Sequence, residues 1–166
     1  MSATEVLRVL DALDGAGIRA GITGGWGIDA LLRRETRAHG DLDLGVDAED
    51  VDPAVEALEP LGYALTSDER PGRVVLVSGV GQVDLHPIVW ARSGAGVQTS
   101  SASEVFEYPP GSLDAEGQIA GRSVRCATPA LQLAFHSHYQ PREHDRRDMA
   151  ALADEFGLSL PPAYLD

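Results

Sequence analysis

The 166-residue chain has no lysine; all 13 of its basic side chains are arginine. Any cationic contact to a phosphate must therefore come from arginine or histidine. Cysteine is almost as scarce. Cys126 stands alone, which excludes an internal disulfide and fits a reducing compartment. No apolar run approaches the roughly 20 residues needed to span a bilayer. The N-terminus lacks a basic stretch followed by an apolar one, so no secretory signal is expected and the expected location is cytoplasmic. Positive charge is in short supply overall. With 26 acidic residues against 13 basic ones, the net charge is -13. Such a surface repels nucleic acid and anionic membrane, so neither is an expected partner, and it attracts a small cationic molecule.

What is present is ordinary for a globular domain: 43% hydrophobic and 23% charged residues, in a chain long enough for one sizeable core. Val6, Leu10 and Leu13 recur at helical spacing over 4–14, and glycines 15 and 17 stop that helix. "IRAGI" (18–22) reads as a strand, "TGGWG" as a turn, 26–33 as a short helix and 41–46 as a strand. A helix is predicted at about 50–61, with Pro53 in its first turn. "YALTS", "RVVLVS" and "QVDLHPIV" then read as strands, with a hairpin at "SGVG". Residues 92–117, rich in Ser, Gly and Pro, read as loop. "QIAGRSVRCAT" reads as a hairpin around Gly121-Arg122, followed by helices from Pro129 to about 139 and over 142–156, the latter with Met149, Leu152 and Phe156 on one face. This order predicts an α+β fold with a mixed sheet and a short C-terminal helical part.

Within "HGDLDLGV", side chains alternate faces, so Leu42, Leu44 and Val46 enter a core while Asp41 and Asp43 share the other face. Two anions so close repel unless a cation sits between them. "GQVDLHPIV" repeats the pattern: Val83 and Leu85 face one way, Gln82, Asp84 and His86 the other. If the two strands are neighbours, three carboxylates converge. Such oxygen-rich clusters hold Mg²⁺, and paired ions clamp a phosphate during in-line displacement. A calcium loop is excluded because its sixth position, normally glycine, is Val46.

"GITGGWGIDA" lies between a strand and a helix, where small residues let backbone N–H groups approach a phosphate. Residues 25–30 also match the dinucleotide pattern G-x-G-x-x-A. That reading ranks second: Trp26 would occupy the tightest part of the turn, and hairpins follow where βαβ units should. His136 and His138 are two apart on a predicted helix, about 200° around its axis, so they cannot share one metal. Packing or surface roles are expected for them, a solvated face for Arg142, Arg146 and Arg147, and core packing for Trp90 and Tyr139.

A Gly-Gly turn opening a helix, then D-x-D on the next strand, then a lone Asp on a later strand resembles the polymerase-β-like nucleotidyltransferase superfamily. "GGWGIDALLRRETRAHGDLDL" (24–44), "VDLHP" and "EGQIAGRSVRC" (116–126) are similar to segments of the aminoglycoside 2″-adenylyltransferases and their lincosamide-modifying relatives. Gly40 departs from the pattern, since relatives often carry a further acid there, but it points away from the Asp41/Asp43 face.

The resemblance implies a nucleotidyltransferase fold, with a mixed sheet flanked by helices. A catalytic core would occupy 1–127, and a helical segment, 128–166, would pack on it as a single domain. It implies Asp41, Asp43 and Asp84 as ligands of Mg²⁺, two ions in all, and Asp84 as general base. Gly24 and Gly25 would contact the triphosphate of ATP, and Arg37 would neutralise it. The implied activity is transfer of AMP to a hydroxyl of a small, cationic, antibiotic-like acceptor with release of pyrophosphate. So short a chain gives an acceptor pocket little wall, which a homodimer would supply. The alternatives are a nucleotidyltransferase that modifies a protein, as in toxin–antitoxin pairs, and a non-catalytic dinucleotide- or metal-binding module.

Overall fold

The computed structural model describes residues 1–100, 102–137 and 139–165. Helix α1 (Ala3–Gly15) is capped by Ser2, whose hydroxyl accepts from the Glu5 amide, and it buries Val6, Val9, Leu10 and Leu13 on one face. Strand β1 (Gly21–Ile22) is shorter than "IRAGI" suggested. Helix α2 (Gly24–Leu32) starts two residues earlier than expected, so the glycine pair forms its first turn instead of preceding it. Next come β2 (Asp41–Asp47) and α3 (Val51–Leu58), with a 3₁₀ turn at each end of α3. The antiparallel strands β3 (Ala64–Glu69), β4 (Arg73–Ser78) and β5 (Gly81–Trp90) follow, with the expected hairpin closing at Ser78 and Gly81.

The segment read as loop at 92–117 contains three pieces of strand: β6 (Gly96–Thr99), β7 (Val105–Tyr108) and the start of β8 (Ala115–Ile119). Short strands can form here because their inward residues have somewhere to go. Tyr108 is buried against Trp90 and Phe135, with ring centroids 6.1 and 5.3 Å apart. Strand β9 (Arg122–Cys126) closes the predicted hairpin with β8. Helix α4 spans Pro129–Phe135, ending four residues before the predicted stop. The Ser137 hydroxyl donates to the Leu133 carbonyl at 2.7 Å, which takes the acceptor that a further turn would use. His138 lies outside the described residues. Helix α5 (Glu143–Phe156) buries Met149 and Leu152, while Phe156, expected on the same face, is 41% exposed.

The main sheet runs β3-β4-β5-β2-β1-β9-β8, and β6 extends β5 with β7 beyond it. The pairs β2–β5 and β1–β9 are parallel and the others antiparallel, so the sheet is mixed. This is not the doubly wound parallel sheet of a dinucleotide-binding fold. Leu42, Leu44, Val83 and Leu85 join α1, α2, α3 and the α5 residues Met149 and Leu152 in one core. No helix among the described residues is long and apolar enough to cross a membrane.

Candidate active site

The parallel pairing of β2 with β5 sets the site. Its register puts Asp43 beside Asp84, Asp41 beside Gln82 and Gly45 beside His86. Because facing residues in a ladder share a side, the three carboxylates that the sequence placed on two strands lie on one face. Asp41 and Asp43 line a cleft of about 550 Å³. Asp84 sits behind its wall, 3% exposed, where Arg73 donates to it at 3.2 Å and the Gln82 amide at 2.7 Å. Burial raises the proton affinity of Asp84 above the usual carboxylate range, and the Asp43 charge adds to this, while Gln82 and Arg73 oppose it.

The donor types suit a hard divalent cation: carboxylate oxygens only, mutually repulsive and side by side on two paired strands. In their present rotamers no three of the acidic, histidine and cysteine side chains described gather tightly enough to enclose an ion. Asp84 is the member turned elsewhere, toward Arg73 and Gln82. Asp43 Oδ1 accepts from His86 Nε2 at 3.0 Å.

The head of α2 faces the same cleft through Thr23, Gly24 and Gly25. Gly24 has φ +58°, and a Cβ there would overlap Asp43 Oδ2. Glycine is therefore needed twice over at this point: for a left-handed backbone and for room beside the carboxylate. A Cβ at Gly25 would collide with the His39 ring and come within 2.9 Å of Arg37.

The segments quoted for the family resemblance turn out to meet in space. Asp29, buried in α2, accepts from the Thr36 amide at 3.1 Å, from its hydroxyl at 2.5 Å, and from His39 Nε2 at 2.6 Å. Trp26 stacks obliquely on His39 at 4.9 Å, inside the core. This network holds the loop from which Arg37 reaches the cleft. Arg37 is paired at 3.0 Å with Asp148 of α5, which is 4% exposed.

The far wall of the cleft comes from β6, β7, α4 and the segment entering α5: Gln98, Glu104, Phe106, Phe135, Tyr139 and Asp145. Tyr139, expected in the core, lines the cleft at 46% exposure and donates to Asp145 Oδ1 at 3.1 Å. Trp90 does pack inward, against Tyr108. His136 is buried, its Nδ1 2.8 Å from the Gln132 carbonyl oxygen. Arg142 lines the cleft, while Arg147 pairs with Glu143 on the exposed face of α5 and Arg146 donates to the Ala163 carbonyl. The sequence reading missed Gln98, Tyr108 and Asp148 as parts of the site. "GVQT" and "VFEY" carry the β-branched and aromatic residues of short strands, a signal overshadowed by the surrounding Ser, Gly and Pro.

The family model of aminoglycoside-2″-adenylyltransferase matches residues 5–152. The chain belongs to this family. Among related adenylyltransferases and resistance proteins, the lincosamide resistance protein of Staphylococcus haemolyticus is 28% identical over 149 residues, 89% of this chain and 92% of that protein. A 2″-aminoglycoside nucleotidyltransferase of Klebsiella pneumoniae is 37% identical over 125 residues, 74% of this chain and 66% of that one. Two solved structures carry the same fold. The lincosamide antibiotic adenylyltransferase LnuA, lincomycin-bound, superposes with a TM-score of 0.79 at 28% identity, covering 90% of this chain and 94% of that one. ANT(2″)-Ia in complex with adenylyl-2″-tobramycin gives 0.76 at 27% identity, covering 93% and 89%. This member of the adenylyltransferase family is an enzyme, a nucleotidyltransferase, and the non-catalytic binding module is set aside.

Proposed function

We propose that this nucleotidyltransferase moves AMP from ATP onto a hydroxyl of a small antibiotic, an aminoglycoside or a lincosamide, and releases pyrophosphate. The observation that carries the reading is the β2–β5 register, which sets Asp43 beside Asp84 with Asp41 two residues earlier, at the foot of a cleft headed by the α2 N-terminus. Asp41, Asp43 and Asp84 would hold Mg²⁺, two ions in this chemistry, and the bound metal would neutralise charge on the transferring phosphate.

The chain's own groups supply the rest. Backbone N–H groups at Gly24 and Gly25 would receive the triphosphate at a helix N-terminus, and Arg37 would neutralise it from the neighbouring loop. Asp84 would take the proton of the acceptor hydroxyl. The hydroxyl oxygen bonds to the α-phosphorus as the bond to the pyrophosphate leaving group breaks. For this Asp84 must turn from Arg73 toward the cleft, and burial has already raised its proton affinity. Glu104 and the aromatic wall of Phe106, Phe135 and Tyr139 fit an amine-bearing acceptor with an apolar face. The net charge of -13 would draw such a cation toward the protein.

The test is incubation with ATP, Mg²⁺ and a panel of aminoglycosides and lincosamides, followed by mass spectrometry. An antibiotic heavier by one adenylyl group is the expected product. Adenylylation of a protein with no antibiotic product would favour the toxin–antitoxin alternative.

A further inference from the structure

His86 is wired into a chain of buried side chains that decides where its proton sits. Tyr108, 2% exposed, donates its hydroxyl hydrogen to Gln98 Oε1 at 2.7 Å. Gln98 Nε2 donates to the Gly72 carbonyl at 2.8 Å and lies 3.0 Å from His86 Nδ1. His86 Nε2 in turn lies 3.0 Å from Asp43 Oδ1.

Donor and acceptor counting fixes the arrangement. A backbone carbonyl only accepts, so the Gln98 nitrogen must face Gly72 and its oxygen must face Tyr108. The second amide hydrogen then points at His86 Nδ1, which must therefore be the unprotonated ring nitrogen. The imidazole hydrogen is left on Nε2 and is donated to the Asp43 carboxylate. Both ring nitrogens are thus engaged, and His86 has no free lone pair with which to accept the proton of an incoming hydroxyl. It holds Asp43 in place, and it is held by residues from β6 and β7.

We propose that Tyr108 and Gln98 lock His86 as the Nε2–H tautomer, and that this locked imidazole positions Asp43 for the nucleotidyl transfer. The first half stands on the hydrogen-bond chain alone. The second half rests on the reading of Asp43 as a ligand of the nucleotide-bound metal. Gln98, Tyr108 and His86 are positioning residues. Partners of this kind, which orient a ligand from behind, typically affect metal affinity or activity by 10–100-fold.

The experiment uses the full chain with ¹⁵N-labelled histidine and two-bond ¹H–¹⁵N correlation spectra above the imidazole titration range, with His86 assigned through His86→Gln. The wild type is expected to show an unprotonated Nδ1 and a protonated Nε2. Gln98→Leu should populate the other tautomer and weaken Mg²⁺–ATP binding by roughly 10–100-fold in calorimetry. Tyr108→Phe, a milder change that keeps the ring packing, should move both quantities the same way by less. A wild-type Nδ1–H tautomer overturns the proposal. So does a tautomer unchanged in both variants, or one that shifts with no change in Mg²⁺–ATP affinity. Should Asp43→Asn bind Mg²⁺–ATP like the wild type, the reading of the site fails while the tautomer assignment stands.

Discussion

Replacing Gly24 with alanine perturbs the site in two ways that can be measured apart. Its φ of +58° lies in the left-handed region, which costs an alanine about 1–2 kcal/mol. For a chain of this size that is a fall in Tm of about 2–8 °C. The second effect is steric. The new Cβ would overlap Asp43 Oδ2 and sit 3.0 Å from Asp43 Cγ and 3.3 Å from its Cβ, so the carboxylate must move and its 3.0 Å contact with His86 goes with it. Displacing a reacting group by about 1 Å can lower the rate by the order of 10²-fold. Gly157→Ala isolates the first effect. It has φ +64°, and a Cβ there meets nothing within 4 Å. Thermal unfolding followed by circular dichroism, together with initial rates of pyrophosphate release, reads both. Both variants should lose similar stability from the backbone, but only Gly24→Ala should lose turnover. If Gly24→Ala melts like Gly157→Ala and keeps the wild-type kcat, the claim that Gly24 makes room for a functional carboxylate is wrong.

Arg37→Gln should raise the KM for ATP and lower the Tm, because it strands Asp148, 4% exposed, without its partner. Adding Asp148→Asn should restore the Tm and leave the KM high; recovery of both would make the pair purely structural. Glu104→Gln should raise the KM of a polycationic aminoglycoside, measured by initial rates, and leave that of ATP unchanged, since the proposed function assigns the Glu104 wall of the cleft to the acceptor. Burial pushes the Cys126 thiol up to about 12, so a thiol reagent at pH 8 should react only on unfolding. Because this folded value is raised, its contribution to stability is complete below the unfolded thiol value of roughly 8.5 and is lost as pH rises toward 12. Denaturation midpoints of Cys126→Ala should accordingly fall less over that alkaline range than those of the wild type.

The carboxylate face was legible because strand periodicity is a local property: Leu42, Leu44, Val83 and Leu85 had to go inward, which left Asp41, Asp43 and Asp84 together on the other side. Pairing of β2 with β5 was not local, and only the resemblance and the shared pattern suggested it. The cleft wall built by β6 and β7 was the hardest part. Strands β6 and β7 are four residues each, within a stretch whose composition argues for loop, and they are held by packing of Tyr108 on Trp90 and Phe135 from elsewhere in the chain. Asp148 read as one more charge on an amphipathic helix. Its role depends on a contact with Arg37, 111 residues away, that no periodicity announces. The motif extension around Trp26, Asp29, Thr36 and His39 was visible as a pattern, but its purpose, holding the Arg37 loop, required the fold.

The most direct test of the carboxylate site is to follow ATP labelled at the α-phosphorus, with Mg²⁺ and either lincomycin or tobramycin, in the wild type and in Asp43→Asn side by side. The account predicts that the wild type moves the label onto an antibiotic while the β- and γ-phosphates leave as pyrophosphate. Asp43→Asn, still folded by its melting curve, should transfer none. Label transfer at the wild-type rate by Asp43→Asn, or transfer of the γ-phosphate in place of the α-phosphate, would contradict it.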